Sequence, residues 1–497
     1  MRYTLKDYQA EAVRDVLRNL ERARDSYRRY GALSQFSLTA TTGAGKTVMA
    51  AAVIESLFFG NDEFDFTGDP GAVVLWFSDD PALNEQSRAR IQAAASELDH
   101  RLRVVPTTFS EPTFRPGNVY FLNTQKLSKN SRLVKGAPEV KEGDVIPGLE
   151  PRPDEVQSSI YDTITNTIAN KDLTLYLVLD EAHRGMGTRA RERSTIVQRL
   201  INGQGNVPAM PVVFGISATV ERFEAAMKDA KGRDALPSVQ VDSALVQASG
   251  LLKDDIALSI PAEDGEFETV LLTKAVEKIR ASEQAWSDYA REQGETEAVR
   301  PLLVVQVGDK PSNEALTRTL DTIYDAWPDL PYDAVANVFG EHADLTVGQQ
   351  VVPYIEPQRV QDATHVRVLL AKNAISTGWD CPRAEVLVSF RPAKDRTHIT
   401  QLLGRMMRTP LARRIPGNEL LNSVDCLLPL FDRKTATAVA ELLMKGATSK
   451  DADEGEDGGG GLGRRVLFDP IPLYANPAIA QEVWERFSAI PSVTIPK

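Results

Sequence analysis

The sequence predicts an α/β protein made of two parallel-sheet domains in tandem. Three observations carry this. Short, nearly continuous apolar runs recur along the chain with helical stretches between them. That rhythm stops once and then resumes. The 497 residues also exceed what one ordinary core accommodates. Strands apolar along their whole length, alternating with helices, belong to parallel sheets covered on both faces.

The first series of runs is FSLTA (36–40), AVVLWFS (72–78), VYFL (119–122), LTLYLVLD (173–180) and VVFGIS (212–217). The second is LLVVQV (302–307), AVANVF (334–339), VRVLLA (366–371), EVLVSF (385–390) and CLLPL (426–430). The interval from about 241 to 300 separates them. The expected boundaries are therefore 1–240 and 241–445 for the domains and 446–465 for an acidic, glycine-rich linker. Residues 466–497 form an extension that packs back on the second domain or opens a third. Residues 131–160, rich in Pro, Gly and charge, read as a surface insertion in the first domain.

Composition narrows the class. Hydrophobic residues at 42% and charged residues at 25% are ordinary for a globular protein. Two cysteines, Cys381 and Cys426, exclude a disulfide framework and a cysteine-rich zinc site, and they fit a cytoplasmic location. The start, MRYTLKDYQAEA, has no apolar run of the signal-peptide kind, and VMAAAVIESLFF is too short to span a membrane. A net charge of −12 argues against a generally basic nucleic-acid binder but leaves room for a local basic groove.

TATTGAGKTVMAAAVI follows the first strand and leads into a helical pattern. Strand, glycine loop, Lys-Thr and helix make a phosphate-binding loop. Backbone N–H groups of Gly43, Ala44 and Gly45 would surround a β-phosphate at the positive end of the helix. Lys46 would reach the β and γ phosphates, and Thr47 would bind Mg²⁺. Ala40 stands where the strict pattern has glycine. LYLVLDEAHRG ends a strand on two acids, where α/β proteins bind ligands. Asp180 would hold Mg²⁺, mainly through water, and Glu181 would orient and deprotonate an attacking water.

QLLGRMMR (401–408), read as a helix, divides into an apolar side and a face with Gln401, Gly404, Arg405 and Arg408. Such a face is either solvated or set against phosphate, to which the arginine fork is suited.

Ala40, Gly43, Gly45, Lys46 and Thr47, then DEAH at 180–183, SAT at 217–219 and QLLGRMMR resemble, in order, the motifs of superfamily 2 helicases. That resemblance spans roughly residues 5–410. It implies two RecA-like domains that close an ATP site between them. Arg405 and Arg408 would be its arginine fingers, with Gln401 beside them. Gln9 would read adenine; Gly378 and Asp380, in NAISTGWDCP, would respond to nucleotide. Ser217, Thr219 and His183 would couple hydrolysis to domain movement. Ser78, Gln86, Thr124, Lys126 and Thr377 would contact the nucleic-acid backbone; Asp79 and Asp80 depart from that pattern.

GWDCPRAEVLVSFRP, LNTQKL and LVLDEAHRG resemble the restriction (Res) subunit of type III restriction enzymes. The resemblance implies a motor driven by duplex DNA, a modification or defence partner subunit, and no membrane. A nuclease follows the motor in that subfamily, and this chain carries no recognisable nuclease motif. An RNA helicase and an ATP-gated switch acting on protein stay open as alternatives.

Overall fold

The computed structural model describes residues 1–78, 81–128, 131–135, 158–180, 190–203, 205–217, 220–227, 230, 232–260, 268–372, 379–392, 396–445 and 465–468, with 483 and 486. Two sheets, parallel at every pairing, form its centre. The first uses β1 (Leu33–Thr39), β2 (Ala72–Ser78), β3 (Leu102–Val104), β4 (Asn118–Asn123), β5 (Thr174–Asp180), β6 (Val212–Ser217), β7 (Arg233–Ala235) and β8 (Val239–Gln240). Their order is β3-β4-β2-β5-β6-β1-β7, and β8 also pairs with β1. The second uses β9 (Asp255–Ser259), β10 (Leu302–Gln306), β11 (Val335–Asn337), β14 (Val368–Ala371), β15 (Ala384–Ser389), β16 (Ser423–Leu427) and β17 (Arg465–Phe468). Its order is β11-β14-β10-β15-β16-β9-β17. Between β11 and β14 the chain forms an antiparallel hairpin, β12 (Leu345–Val347) with β13 (Gln350–Val352). The α/β class and the two parallel sheets are as the apolar rhythm predicts.

Helices cover the sheets. α1 (Asp7–Tyr30) buries Ala12, Val13, Val16, Leu17, Leu20 and Ala23, the spacing of one helical face. It ends at Gly31, whose left-handed φ of 67° suits glycine. α2 (Lys46–Phe59) is buried along most of its length, which explains its apolar sequence. α3 (Pro81–Ala94) packs against α2, β2 and β4. No described helix is long and apolar enough to cross a membrane.

β9 lies in the interval expected to separate the domains. Its run DIALS has only three apolar residues and polar ends, too weak a pattern to stand out, yet the whole strand is buried. Arg465, expected at the end of the linker, instead opens β17, which pairs with β9. The rest of the linker lies outside the described residues.

A buried polar cluster ties the second sheet to the long helix Glu268–Gln293. Lys253 Nζ lies 2.5 Å from Glu385 Oε1 and donates to the Leu421 carbonyl at 2.9 Å. Ser282 and Trp286 donate to the other oxygen of Glu385. Each charge therefore has partners, which buried charge requires.

Candidate nucleotide-binding site

Strand register aligns the carboxyl ends of the first sheet. Thr39 of β1 pairs with Ser217 of β6, Ile216 pairs with Asp180 of β5, and Ser78 of β2 pairs with Asn123 of β4. Adjacent strands are about 4.8 Å apart, so the ends of β1 and β5 lie about 10 Å apart with Ser217 between. The phosphate loop and Asp180 thus share one edge.

The loop has the backbone its sequence requires. Gly43 and Gly45 take φ of 89° and 81°, a region closed to most side chains. Gly45 caps the N-terminus of α2. Lys46 Nζ donates to the carbonyls of Ala40 and Thr41 at 2.8 and 3.2 Å. Thr41 Oγ1 is buried without a hydrogen-bond partner. Gln9 and Tyr8 both donate to the Ala44 carbonyl, at 3.1 and 2.9 Å. A Cβ on Gly45 would lie 2.4 Å from Gln9 Nε2, so α1 needs glycine there to approach this closely. Burial pushes the Tyr8 hydroxyl up to about 12, keeping it a neutral donor. Asp180 accepts from Ser87 of α3 at 2.8 Å.

The second sheet supplies the other side. The helix Arg396–Met406 buries Leu402, Leu403 and Met406, the apolar side read from its sequence. The helix ends before Arg408, which forms an isolated β-bridge with Leu252. Lys253 N–H donates to Met407, and Thr409 N–H to Leu251, at 2.6 and 3.2 Å. The segment leading from the first sheet to the second is thereby stitched to Arg408. A Cβ on Gly43 would meet Leu252 Cδ2 at 2.5 Å and Arg408 Nε at 3.8 Å. Arg408 is therefore against the phosphate loop, and its Nε is buried without a hydrogen-bond partner.

Asp380 accepts from Arg408 Nη1 and lies 2.7 Å from Arg90 Nη2 of α3. Burial alone would raise its carboxyl; Arg408, Arg90 and Arg405 together outweigh burial and hold it below the usual range. Arg405 donates to the Trp379 carbonyl. Trp379 itself is a buried residue.

Several residues expected along a polymer track are buried in this structure. Ser78 is fully buried and donates to Asn84 at 2.7 Å, and Asn84 holds the Leu122 carbonyl at 2.9 Å. Gln86 and Thr124 are buried too. Lys126 is half-buried and donates to the Val105 carbonyl, and burial lowers its pKa. Glu181, His183, Thr219, Thr377 and Gly378 lie outside the described residues, as do Asp79, Asp80 and the side chain of Gln401. Sequence reasoning missed Ser87, Arg90 and Leu252. Ser87 and Arg90 are three apart on α3, but no sequence signal distinguishes Arg90 from Arg88, which pairs with Glu85.

The donor set fits a nucleoside triphosphate with Mg²⁺. Two left-handed glycines open the loop, a helix N-terminus faces it, and the partnerless atoms Thr41 Oγ1 and Arg408 Nε border it. Thr47 and Asp180 could hold Mg²⁺ with phosphate and water, the usual sparse protein ligation of that ion.

Fold and site define a nucleotide-binding α/β protein with a phosphate loop in one parallel sheet and arginines brought to it from another. Residues 2–222 match the family described as "Type III restriction enzyme, res subunit". The matched part carries the phosphate loop. No curated protein matches the chain. Among solved structures, S. cerevisiae Dbp5 bound to RNA and ADP BeF3 is similar over 98% of this chain and 96% of its own, at 12% identity and TM-score 0.44. The DUF1998 helicase MrfA, bound to DNA and AMPPNP, is similar over 88% of this chain and 53% of its own, at 13% identity and TM-score 0.48. A fragment of a putative HsdR subunit of a type I restriction enzyme from Vibrio vulnificus YJ016 is similar over 87% and 64%, at 16% identity and TM-score 0.42.

Proposed function

We propose that this chain is an ATP-driven nucleic-acid motor of the superfamily 2 helicase type, with a DEAH box at 180–183, acting on duplex DNA in a restriction or phage-defence system. The observation that carries the nucleotide reading is Arg408: it comes from the second sheet and faces Gly43 of the first. The family match at residues 2–222 supports the helicase and restriction readings. We place the domain division at about 240, after β8, which ends at Gln240, and before β9, which opens at Asp255.

In this reading Gly43, Ala44 and Gly45 cradle the β-phosphate through backbone N–H groups, and Gln9 contacts adenine. Lys46 exchanges its carbonyl partners for β- and γ-phosphate oxygens, where an ammonium gains far more. Thr47 and Asp180 hold Mg²⁺, which neutralises phosphate charge when bound. Glu181 takes a proton from water as that water attacks the γ-phosphorus and the bond to the β–γ bridging oxygen breaks. Arg408 and Arg405 stabilise the charge that develops, beside Gln401. Ser217, Thr219, His183, Gly378 and Asp380 transmit the outcome to the second domain. Thr124, Lys126, Thr377 and Gln86 line the polymer track, with Ser78 bracing it from inside.

ATP turnover with duplex DNA, single-stranded DNA, RNA or no polymer tests the proposal. Stimulation by duplex DNA is expected. Stimulation by RNA alone would make the chain an RNA helicase, and equal turnover in all four would favour the protein switch.

A further inference from the structure

Arg90 is a charged residue of the candidate site to which the motifs give no role. It sits on α3, in the layer of the first sheet, yet its Nη2 is 2.7 Å from Oδ2 of Asp380, which follows β14 of the second. Arg408 holds the same oxygen. Three residues before Arg90, on the same face of α3, Ser87 donates to Asp180 at 2.8 Å. One helix face therefore touches a candidate magnesium carboxylate in one domain and Asp380 in the other. The neighbouring Arg88 is engaged by Glu85 on α3 itself.

Among the described residues, Arg90, Arg405 and Arg408 act on the carboxylate of Asp380, and Asp180 acts on Arg90 as well. A γ-phosphate would be a further anion within this cationic cluster. For Arg408 to serve that phosphate it must loosen its hold on Asp380. A largely covered carboxylate that loses its cation is strongly disfavoured. Arg90 removes that obstacle, because it already faces the same oxygen from the opposite domain.

We propose that Arg90 is a positioning residue for ATP hydrolysis: it keeps Asp380 paired across the domain cleft and so frees Arg408 for the γ-phosphate. The proposal rests on the ATPase reading above and deepens it. Arg90 itself never touches nucleotide. Its contribution appears in the turnover step, when Arg408 transfers, and not in ATP binding to the loop. Without Arg90, Asp380 competes with the γ-phosphate for the finger. Without Asp380 there is nothing to compete, and Arg90 loses its purpose.

The test is a double-mutant cycle on the full chain, read as polymer-stimulated kcat, KM for ATP and affinity for a fluorescent ATP analogue. Arg90→Gln should lower kcat about 10- to 100-fold, the order expected for one charged contact, with analogue affinity unchanged. Arg90→Lys, which retains the charge, should recover most of the turnover. In an Asp380→Asn background, Arg90→Gln should cost less than 3-fold more, roughly the threshold for coupled sites. Parent turnover in Arg90→Gln, or an undiminished loss in the Asp380→Asn background, overturns the proposal. If Arg90→Gln fails to fold, Arg90→Lys and Arg90→Ala decide: Lys should keep most of the turnover, Ala should turn over weakly with full nucleotide affinity, and no separation between the two overturns the proposal. Lys46→Ala run in parallel separates the two levels. If that variant keeps parent turnover, the ATPase reading itself has failed; if it is inactive while Arg90→Gln is normal, only the role of Arg90 has.

Discussion

Replacing Arg408 is the most informative single perturbation. Its side chain faces Gly43, its Nη1 is held by Asp380, and its backbone is bridged to Leu252. An arginine finger contributes roughly 10³- to 10⁵-fold to phosphoryl transfer. Arg405 lies three residues away and also acts on Asp380, so part of the positive field survives. The expected loss in Arg408→Ala is about two to four decades of kcat, roughly 3–5 kcal/mol of transition-state stabilisation. Fold stability falls much less. The lost charged hydrogen bond is worth at most about 1.5–3 kcal/mol, and Arg90 still faces Asp380 after the change. Arg408→Lys should rescue poorly, because an ammonium lacks the planar fork. Losses in Arg405→Ala and Arg408→Ala should be non-additive, since both act on one charge centre. The assay is polymer-stimulated ATP turnover of both single variants and the double, alongside nucleotide affinity and a thermal melt. A double variant within a few-fold of the parent would refute the reasoning and leave these arginines as structural partners of Asp380 and Trp379.

Two further outcomes follow from the geometry. Lys126→Ala should weaken DNA binding and reduce the salt-dependence slope by about one, checked by titrations at several salt concentrations; an unchanged slope would mean that Lys126 only braces the Val105 carbonyl. Lys253→Met should destabilise the fold by about 3–5 kcal/mol, because Glu385 would keep a buried charge without its cation. In chemical denaturation, Lys253→Met with Glu385→Gln should recover much of that loss; a double variant as unstable as the single would refute the charge argument.

Local features were readable in the sequence, and contacts across the fold were not. Each of the ten apolar runs overlaps a strand of the two large sheets, because a strand buried on both faces must be largely apolar. β9 escaped notice because its ends are Asp255 and Ser259, and β3 and β7 because each is three residues long with exposed positions. The phosphate loop is a contiguous device, so Gly43, Gly45 and Lys46 could be read directly. Arg90 meeting Asp380, Ser87 meeting Asp180 and Leu252 lying on Gly43 depend on how α3 and the interdomain segment pack. Nothing in a linear pattern records that packing. Ser78, which ends β2, donates to Asn84, another contact that the linear pattern does not record.

In the proposed function, ATP is hydrolysed at this phosphate loop under control of nucleic acid. The direct measurement is ATP turnover, with and without saturating duplex DNA, for the parent, Lys46→Ala and Glu181→Gln, together with nucleotide affinity. DNA should stimulate the parent. Lys46→Ala should bind ATP weakly and not turn over, while Glu181→Gln should bind ATP at parent affinity and scarcely hydrolyse it. Parent-level, DNA-stimulated turnover in Lys46→Ala, or a parent that hydrolyses no ATP with any polymer, would contradict the account.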